Sequence, residues 1–197
     1  MSDRHFDELA TRFAEKIYGG AKGAIRLAVL QADLKEALPE RPLRVLDVGA
    51  GLGHMSLWLA QRGHQVTLAE PHAILPVLHQ LTAADGWLSL AFYNKDALVY
   101  RNLLKGHFRK LRKERFAGEG QSLTPQQPLD PRELATQLDA LWRVESRSGV
   151  RVFHDYMPAE FQAKAELADL LEMELAYRRH PSFAGLGRYL HWVCRPL

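Results

Sequence analysis

The run Leu43-Arg-Val-Leu-Asp-Val-Gly-Ala-Gly-Leu-Gly53 constrains this chain more than any other stretch. A short apolar segment that ends in an acid and a glycine-rich turn describes a buried strand feeding a helix across a loop open to a ligand. Gly49, Gly51 and Gly53 lack the Cβ atoms that would hold a ligand off the backbone, and glycine accepts the left-handed dihedrals such a turn demands. His54-Met-Ser-Leu-Trp-Leu-Ala60 then starts a helix with Met55, Trp58 and Leu59 on one face, and Gly63 closes it. Gln65 to Ala69 read as the next strand. Glu70 at its end lies near the offset of about 20 residues at which a dinucleotide fold sets an acid on a ribose hydroxyl. As a residue type it is equally a solvated strand-end acid.

Glycines at this spacing also mark a tight turn in any α/β protein. The spacing nonetheless differs from the G-x-G-x-x-G of nicotinamide enzymes, and Asp47 within D-x-G-x-G-x-G is typical of class I methyltransferases, so the turn reads as a site for S-adenosylmethionine. A chain of 197 residues, 47% hydrophobic and 25% charged, can bury one sizeable core. We read residues 1–197 as a single domain: N-terminal helices over 1–42, a cofactor-binding half over 43–93, and a basic helix with a substrate-side half over 94–197. The sole cysteine, Cys194, excludes an intramolecular disulfide and a multi-cysteine zinc site, and suits a reducing cytoplasm. We expect no metal. No apolar run approaches the ~20 residues of a membrane helix, so no membrane partner is expected. Net charge is only +3, and any nucleic-acid signal must come from local clustering.

Phe6, Leu9, Phe13 and Ile17 mark a first helix. Leu27, Leu30, Leu34 and Leu38 mark a second, ended by Pro39 and Pro42. Beyond Glu70, a short helix carries Ile74, Val77, Leu78 and Leu81, and a strand spans Trp87 to Tyr93. Asp130-Pro-Arg-Glu133 combines an N-cap acid, Pro at the first helical position and Glu at the third. Residues 143–156 read as one or two strands around Gly149, residues 158–177 as a long helix, and residues 187–195 as a final strand. Between Glu70 and Trp87 there is room for one helix and its loops. A class I methyltransferase sheet needs two further strands there, roughly 40 to 50 residues more.

Several stretches together resemble the bacterial tRNA 5-carboxymethoxyuridine methyltransferase family: Asp3-Arg-His-Phe-Asp7, Ile17-Tyr-Gly19, Lys22-Gly23, the glycine turn, Arg62-Gly-His-Gln-Val66, Ser89 to Asn94, Gly149-Val-Arg-Val-Phe-His-Asp-Tyr156 and Gly187-Arg-Tyr189. The last two are far more specific than the turn. The resemblance implies an α/β fold, a Rossmann-like class I sheet with helices on both faces. It also implies methylation of a carboxylate on the wobble uridine of tRNA. Here the sheet is short of two central-region strands, and we expect the remaining one to stay built around residues 43–47 with 87–93 as a neighbour. An internal deletion with its seam within or beside residues 68–71 accounts for the gap, with a naturally compact variant as the alternative. Glu70 fits two family positions at once.

For the cofactor, the candidate residues are Asp47, Gly49, Ala50, Gly51, Gly53 and Glu70, with Arg26 added by the resemblance as a partner for its carboxylate. No proton-transfer residue is nominated, because a carboxylate is already ionised near neutral pH and positioning must dominate. For RNA, Arg101, Lys105, Arg109 and Arg112 share one face of a predicted helix over residues 100–116, beside an apolar face of Tyr100, Leu104, Phe108 and Leu111. Lys110 and Lys113 broaden the charge, and a solvated basic face is the plain alternative. Arg151, His154, Tyr156 and Arg188 are candidates for a nucleotide pocket, through arginine–carboxylate pairing and base stacking. They are equally readable as structural strand residues. Two other functions stay open: a methyltransferase for a small carboxylic acid, and a degenerate remnant that keeps only RNA affinity.

Overall fold

The computed structural model describes residues 20–48, 53–69, 75–112 and 128–197. The predicted first helix, Gly49, Ala50, Gly51, Glu70 and Lys113 lie outside the described residues. The elements, in order, are α1 (Ala21–Ala37), β1 (Arg44–Val48), α2 (His54–Gln61), β2 (Gln65–Ala69), α3 (Leu75–Leu81), β3 (Leu88–Tyr93), α4 (Lys95–Leu104), α5 (Phe108–Arg112), α6 (Pro131–Leu138), β4 (Trp142–Val150), α7 (Ala159–Lys164), α8 (Leu167–Tyr177) and β5 (Tyr189–Pro196). Short 3-10 turns cover His154–Tyr156 and Ala184–Leu186. The α/β composition is as expected.

The described strands pair in two sheets rather than one. β1 and β2 run parallel, with Arg44 opposite Gln65 and Val48 opposite Ala69. β3 and β4 flank β5, both antiparallel to it, in the order β3-β5-β4. This corrects the expectation that residues 87–93 would neighbour β1. The reason is topological. In a doubly wound sheet of order 3-2-1-4-5-6, strand 4 lies beside strand 1. Remove strands 3 and 4, and the pair 2-1 parts from everything beyond the gap. No strand between Glu70 and β3 appears among the described residues.

The core is built on the three-stranded sheet. Side chains alternate across a strand, so β5 serves two faces. Leu190, Trp192 and Cys194 meet Phe92, Trp142 and the Leu134 and Leu138 stripe of α6. On the other face Val150 and Tyr189 meet Ile25 and Val29 of α1 and Leu170 of α8. The burial of α1 follows Ile25, Val29, Leu30 and Leu34, so Leu27 and Leu38 sit at the margin of the predicted stripe. No β1 residue is fully buried, and Leu46 is 43% exposed, which is unusual for the central strand of such a fold. Among the described strands β1 pairs with β2 alone.

Local signals explain most boundaries. Asp130 caps α6 by accepting from the Arg132 N–H at 3.0 Å, with Pro131 at the first helical position. Arg132 and Lys95 hold the Asp130 carboxyl down at about 2. Three predicted elements break. The basic helix divides into α4 and α5 at Gly106, which adopts φ 67. The long helix divides at Ala165, whose ψ of 131 is extended. Residues 154–156 form a 3-10 turn instead of strand, because Arg151 at φ 61 turns the chain off β4.

Candidate active site

Two regions carry the predicted site residues. At the carboxyl end of β1, Asp47 accepts a hydrogen bond from Ser56 Oγ on α2 at 2.5 Å. Gly53 precedes α2 in a left-handed conformation, φ 74, and a Cβ there would meet nothing within 4 Å. The Leu57 N–H donates to the Gly53 carbonyl at 2.8 Å. The Ser56–Asp47 contact ties the end of β1 to the start of α2.

The second region gathers residues far apart in sequence. Arg188 lies over the Tyr93 ring at 4.3 Å, Arg151 over the Tyr189 ring at 5.2 Å, and Arg26 over the same ring at 5.0 Å. The two tyrosines meet edge to face at 5.2 Å. Asp155 is the acid among these cations: Arg151 Nη2 donates to it at 2.9 Å, and Arg188 Nε stands 3.8 Å away. Burial would raise the Asp155 carboxyl, but the His154 hydrogen bond, Arg151 and Lys22 outweigh it and hold it low. Burial lowers the proton affinity of the Arg188 guanidinium. Arg26, expected at the cofactor, thus stacks within this arginine–tyrosine cluster.

The turn that presents Arg151 and Asp155 is held from beneath. Glu174 of α8, fully buried, accepts from the N–H groups of Val152 at 2.7 Å and His154 at 3.0 Å, and from that of Phe153 at 3.4 Å. Burial pushes the Glu174 carboxyl up despite those donors. Asn94, also fully buried, caps α4 by accepting from the Asp96 N–H and donates to the carbonyls of Gly185 and Gly187 at 2.9 Å. That ties the end of β3 to the start of β5, so Tyr93, Arg188 and Tyr189 share one frame.

Tyr156 and His154 make framework contacts within the cluster. The Tyr156 hydroxyl donates to the Leu186 carbonyl at 2.7 Å and its ring meets Tyr100 edge to face at 5.3 Å. His154 is buried, with its carbonyl accepting from Gln162. Of the basic stripe, Arg101 is half-buried, while Lys105, Arg109, Lys110 and Arg112 are exposed on both sides of the Gly106 break. The adjoining apolar face does not pack as expected: Leu104 is 58% and Phe108 54% exposed. Sequence reasoning did not single out Tyr93, Asp155 and Tyr189, although all three stand within the motifs it quoted. Glu174 gave no signal, since an acid on an amphipathic helix reads as solvated.

No family model matches the chain. Among curated proteins, the tRNA 5-carboxymethoxyuridine methyltransferases of Escherichia coli K12 and of Escherichia coli O157:H7 are each 31% identical to it over 253 aligned positions, covering 99% of this chain and 97% of the relative. The chain belongs to the tRNA 5-carboxymethoxyuridine methyltransferase family. The alignment covers 97% of each relative but spans 253 positions against 197 residues here, so most of the shortfall of this family member is internal. The split between β1 and β3 lies where a missing block of strands would leave one.

Proposed function

We propose that this chain methylates the carboxylate of 5-carboxymethoxyuridine at the wobble position of tRNA, using S-adenosylmethionine. The 31% identity to relatives covered over 97% of their length carries this reading. The arginine–tyrosine cluster supports it, because guanidinium groups pair with carboxylates and tyrosine rings stack on an unpaired base. Bound at the glycine turn, S-adenosylmethionine supplies an electrophilic methyl group on a sulfonium sulfur. Gly53, with its left-handed backbone and open Cβ position, and Asp47, anchored by Ser56, fit the methionine end of such a ligand. The substrate carboxylate is ionised at neutral pH and needs no general base. What the protein contributes is alignment and exclusion of water. The exposed cations of α4 and α5 are the proposed contact to tRNA phosphates.

The split sheet favours a second reading, in which the chain binds RNA but holds the cofactor poorly. Incubation with tRNA bearing 5-carboxymethoxyuridine and labelled S-adenosylmethionine tests the two. A methyl ester on the modified uridine supports transfer. Salt-dependent tRNA binding without ester formation supports the remnant, and ester formation on a small acid with no tRNA affinity supports neither.

A further inference from the structure

The turn between α8 and β5 carries large rings that neither apolar cluster uses. Tyr177 and Phe183 are each 41% exposed, and His180 between them is exposed as well. They form one patch. His180 stacks on Phe183 with centroids 4.5 Å apart and planes at 23°, while Tyr177 meets the two rings edge to face at 5.9 Å and 5.6 Å. The rings are set before anything binds. The His180 N–H donates to the Tyr177 carbonyl at 3.0 Å, and the N–H groups of Phe183 and Ala184 both donate to the His180 carbonyl at 2.9 Å. The Ser182 N–H donates to His180 Nδ1 at 3.2 Å, which holds the imidazole plane. The surface offers ring faces rather than charge, because the cations of this turn, Arg178 and Arg179, are committed to Asp33 and Glu36. An ordered, exposed aromatic surface of this kind marks a contact site for a flat, largely apolar group.

The same turn leads into β5. Phe183 and Arg188 are five residues apart, at most about 18 Å of extended chain, and the Ala184–Leu186 3-10 turn shortens that path. Within it the Gly185 and Leu186 carbonyls accept from Asn94 and from the Tyr156 hydroxyl, so the patch is held in the frame of the arginine–tyrosine cluster. We infer that Tyr177, His180 and Phe183 form a stacking platform for a second unpaired base of the RNA, a neighbour of the modified uridine in the same loop. This rests on the proposed function and adds a contact outside the cluster that takes the modified base. A base laid against the His180–Phe183 stack continues it as a third layer. Every base has a π-face, so the platform holds the flanking nucleotide without reading its identity. It touches no phosphate, so it adds affinity without adding to the salt dependence that the cations of α4 and α5 would give.

The test uses the full chain and RNA stem-loops with 5-carboxymethoxyuridine at the wobble position, in which each other loop nucleotide in turn is replaced by an abasic residue. Fluorescence anisotropy with the unaltered chain should show one flanking position where loss of the base weakens binding about fivefold or more, whichever base stood there. In the double variant His180→Leu, Phe183→Leu, with circular dichroism unchanged, the intact stem-loop should bind weaker by a similar factor at an unchanged salt slope. The abasic penalty at that position should vanish. Phe183→Leu alone gives the same reading should the double variant fail to fold, and Phe183→Tyr should keep the penalty. No abasic penalty outside the wobble position in the unaltered chain overturns the platform, and so does a penalty that persists in the folded leucine variants. A changed sedimentation coefficient with unaltered RNA affinity overturns it too, since the patch would then hold a second copy of the chain. A flanking-base penalty without methylation sinks the proposed transfer and leaves the platform standing, whereas methylation without such a penalty does the reverse.

Discussion

Asp33 of α1 accepts a hydrogen bond from His191 Nδ1 of β5 at 2.8 Å, with both residues sealed from solvent. The same carboxylate accepts from Arg178 at 3.0 Å and Arg179 at 2.8 Å, while His191 Nε2 lies 2.8 Å from Ser89 Oγ. Asp33 thereby bolts α1, the end of α8 and the central strand together. Breaking one partner of a buried ion network leaves the others uncompensated. Asp33→Asn should lower stability by about 3–5 kcal/mol in urea unfolding at neutral pH. Burial alone would raise the Asp33 carboxyl, but His191, Ser148 and Arg178 outweigh it and hold it below 3.8. Its contribution is therefore present above about pH 3.8 and is lost as pH falls through the lowered folded-state value. The Asn variant should have a shallower acid limb.

Glycines of the family motifs differ in what they tolerate. A Cβ on Gly149 would stand 2.3 Å from the Ala184 carbonyl oxygen, and one on Gly187 would stand 2.6 Å from the Gly149 Cα. Gly53 has open space and only its positive φ to satisfy. Gly149→Ala and Gly187→Ala should each cost more than about 2 kcal/mol, with Gly53→Ala near 1 kcal/mol, in thermal unfolding. Equal losses at all three would mean that the close approach of Gly149 to residues 184–187 yields easily.

Glu174→Gln removes the acceptor that clamps residues 152–154. A glutamine offers one acceptor oxygen and sets N–H against N–H, so a loss of about 1–3 kcal/mol is expected. The sign of the pH dependence is opposite to that of Asp33. Burial raises the Glu174 carboxyl above 4.5, so its contribution is complete below that pH and declines as pH rises through the folded-state value. The stability gap between wild type and variant should narrow across that window in chemical denaturation.

Lys105, Arg109, Lys110 and Arg112 stand as exposed charge beside a half-buried Arg101, but not on one helical face. Charge reversal of Arg101, Lys105 and Arg109 should weaken tRNA binding far more than nucleoside binding and flatten the salt slope by roughly 0.7–0.9 per lost phosphate contact. An unchanged slope would leave these side chains as solvating groups.

The missing block makes a prediction of its own. Restoring the corresponding segment of a relative between β2 and α3 should tighten S-adenosylhomocysteine binding by a factor of roughly 30 to 1,000, the worth of apolar contact to one aromatic ring. Micromolar binding by the chain without the insert would show that the present residues suffice.

What the sequence disclosed was local. The β1 strand, the Asp130 cap and the Gly63 stop each depend on a few adjacent residues, and each was legible. Pairing was not, because β3 joins β5 across about a hundred residues and nothing local to residues 88–93 marks that partner. Gly106 falls inside the predicted basic helix, and propensity cannot tell a tolerated glycine from one that takes a positive φ. At the candidate site, arginine and tyrosine motifs identified the participants. Their shared acid, Asp155, and the Glu174 clamp beneath it come together only in the folded chain.

The exposed β1 strand sets the order in which the molecule loosens. Among the described residues the β1–β2 pair contributes none to either apolar cluster, whereas β5 is enclosed on both faces. Backbone amides of β1 and β2 should exchange with deuterium well before those of β5, as a separate cooperative unit of lower opening free energy. Ligand at the glycine turn would be bound by the half of the protein that is easiest to unfold, so its binding should register there as slowed exchange, while the arginine–tyrosine cluster stays rigid throughout.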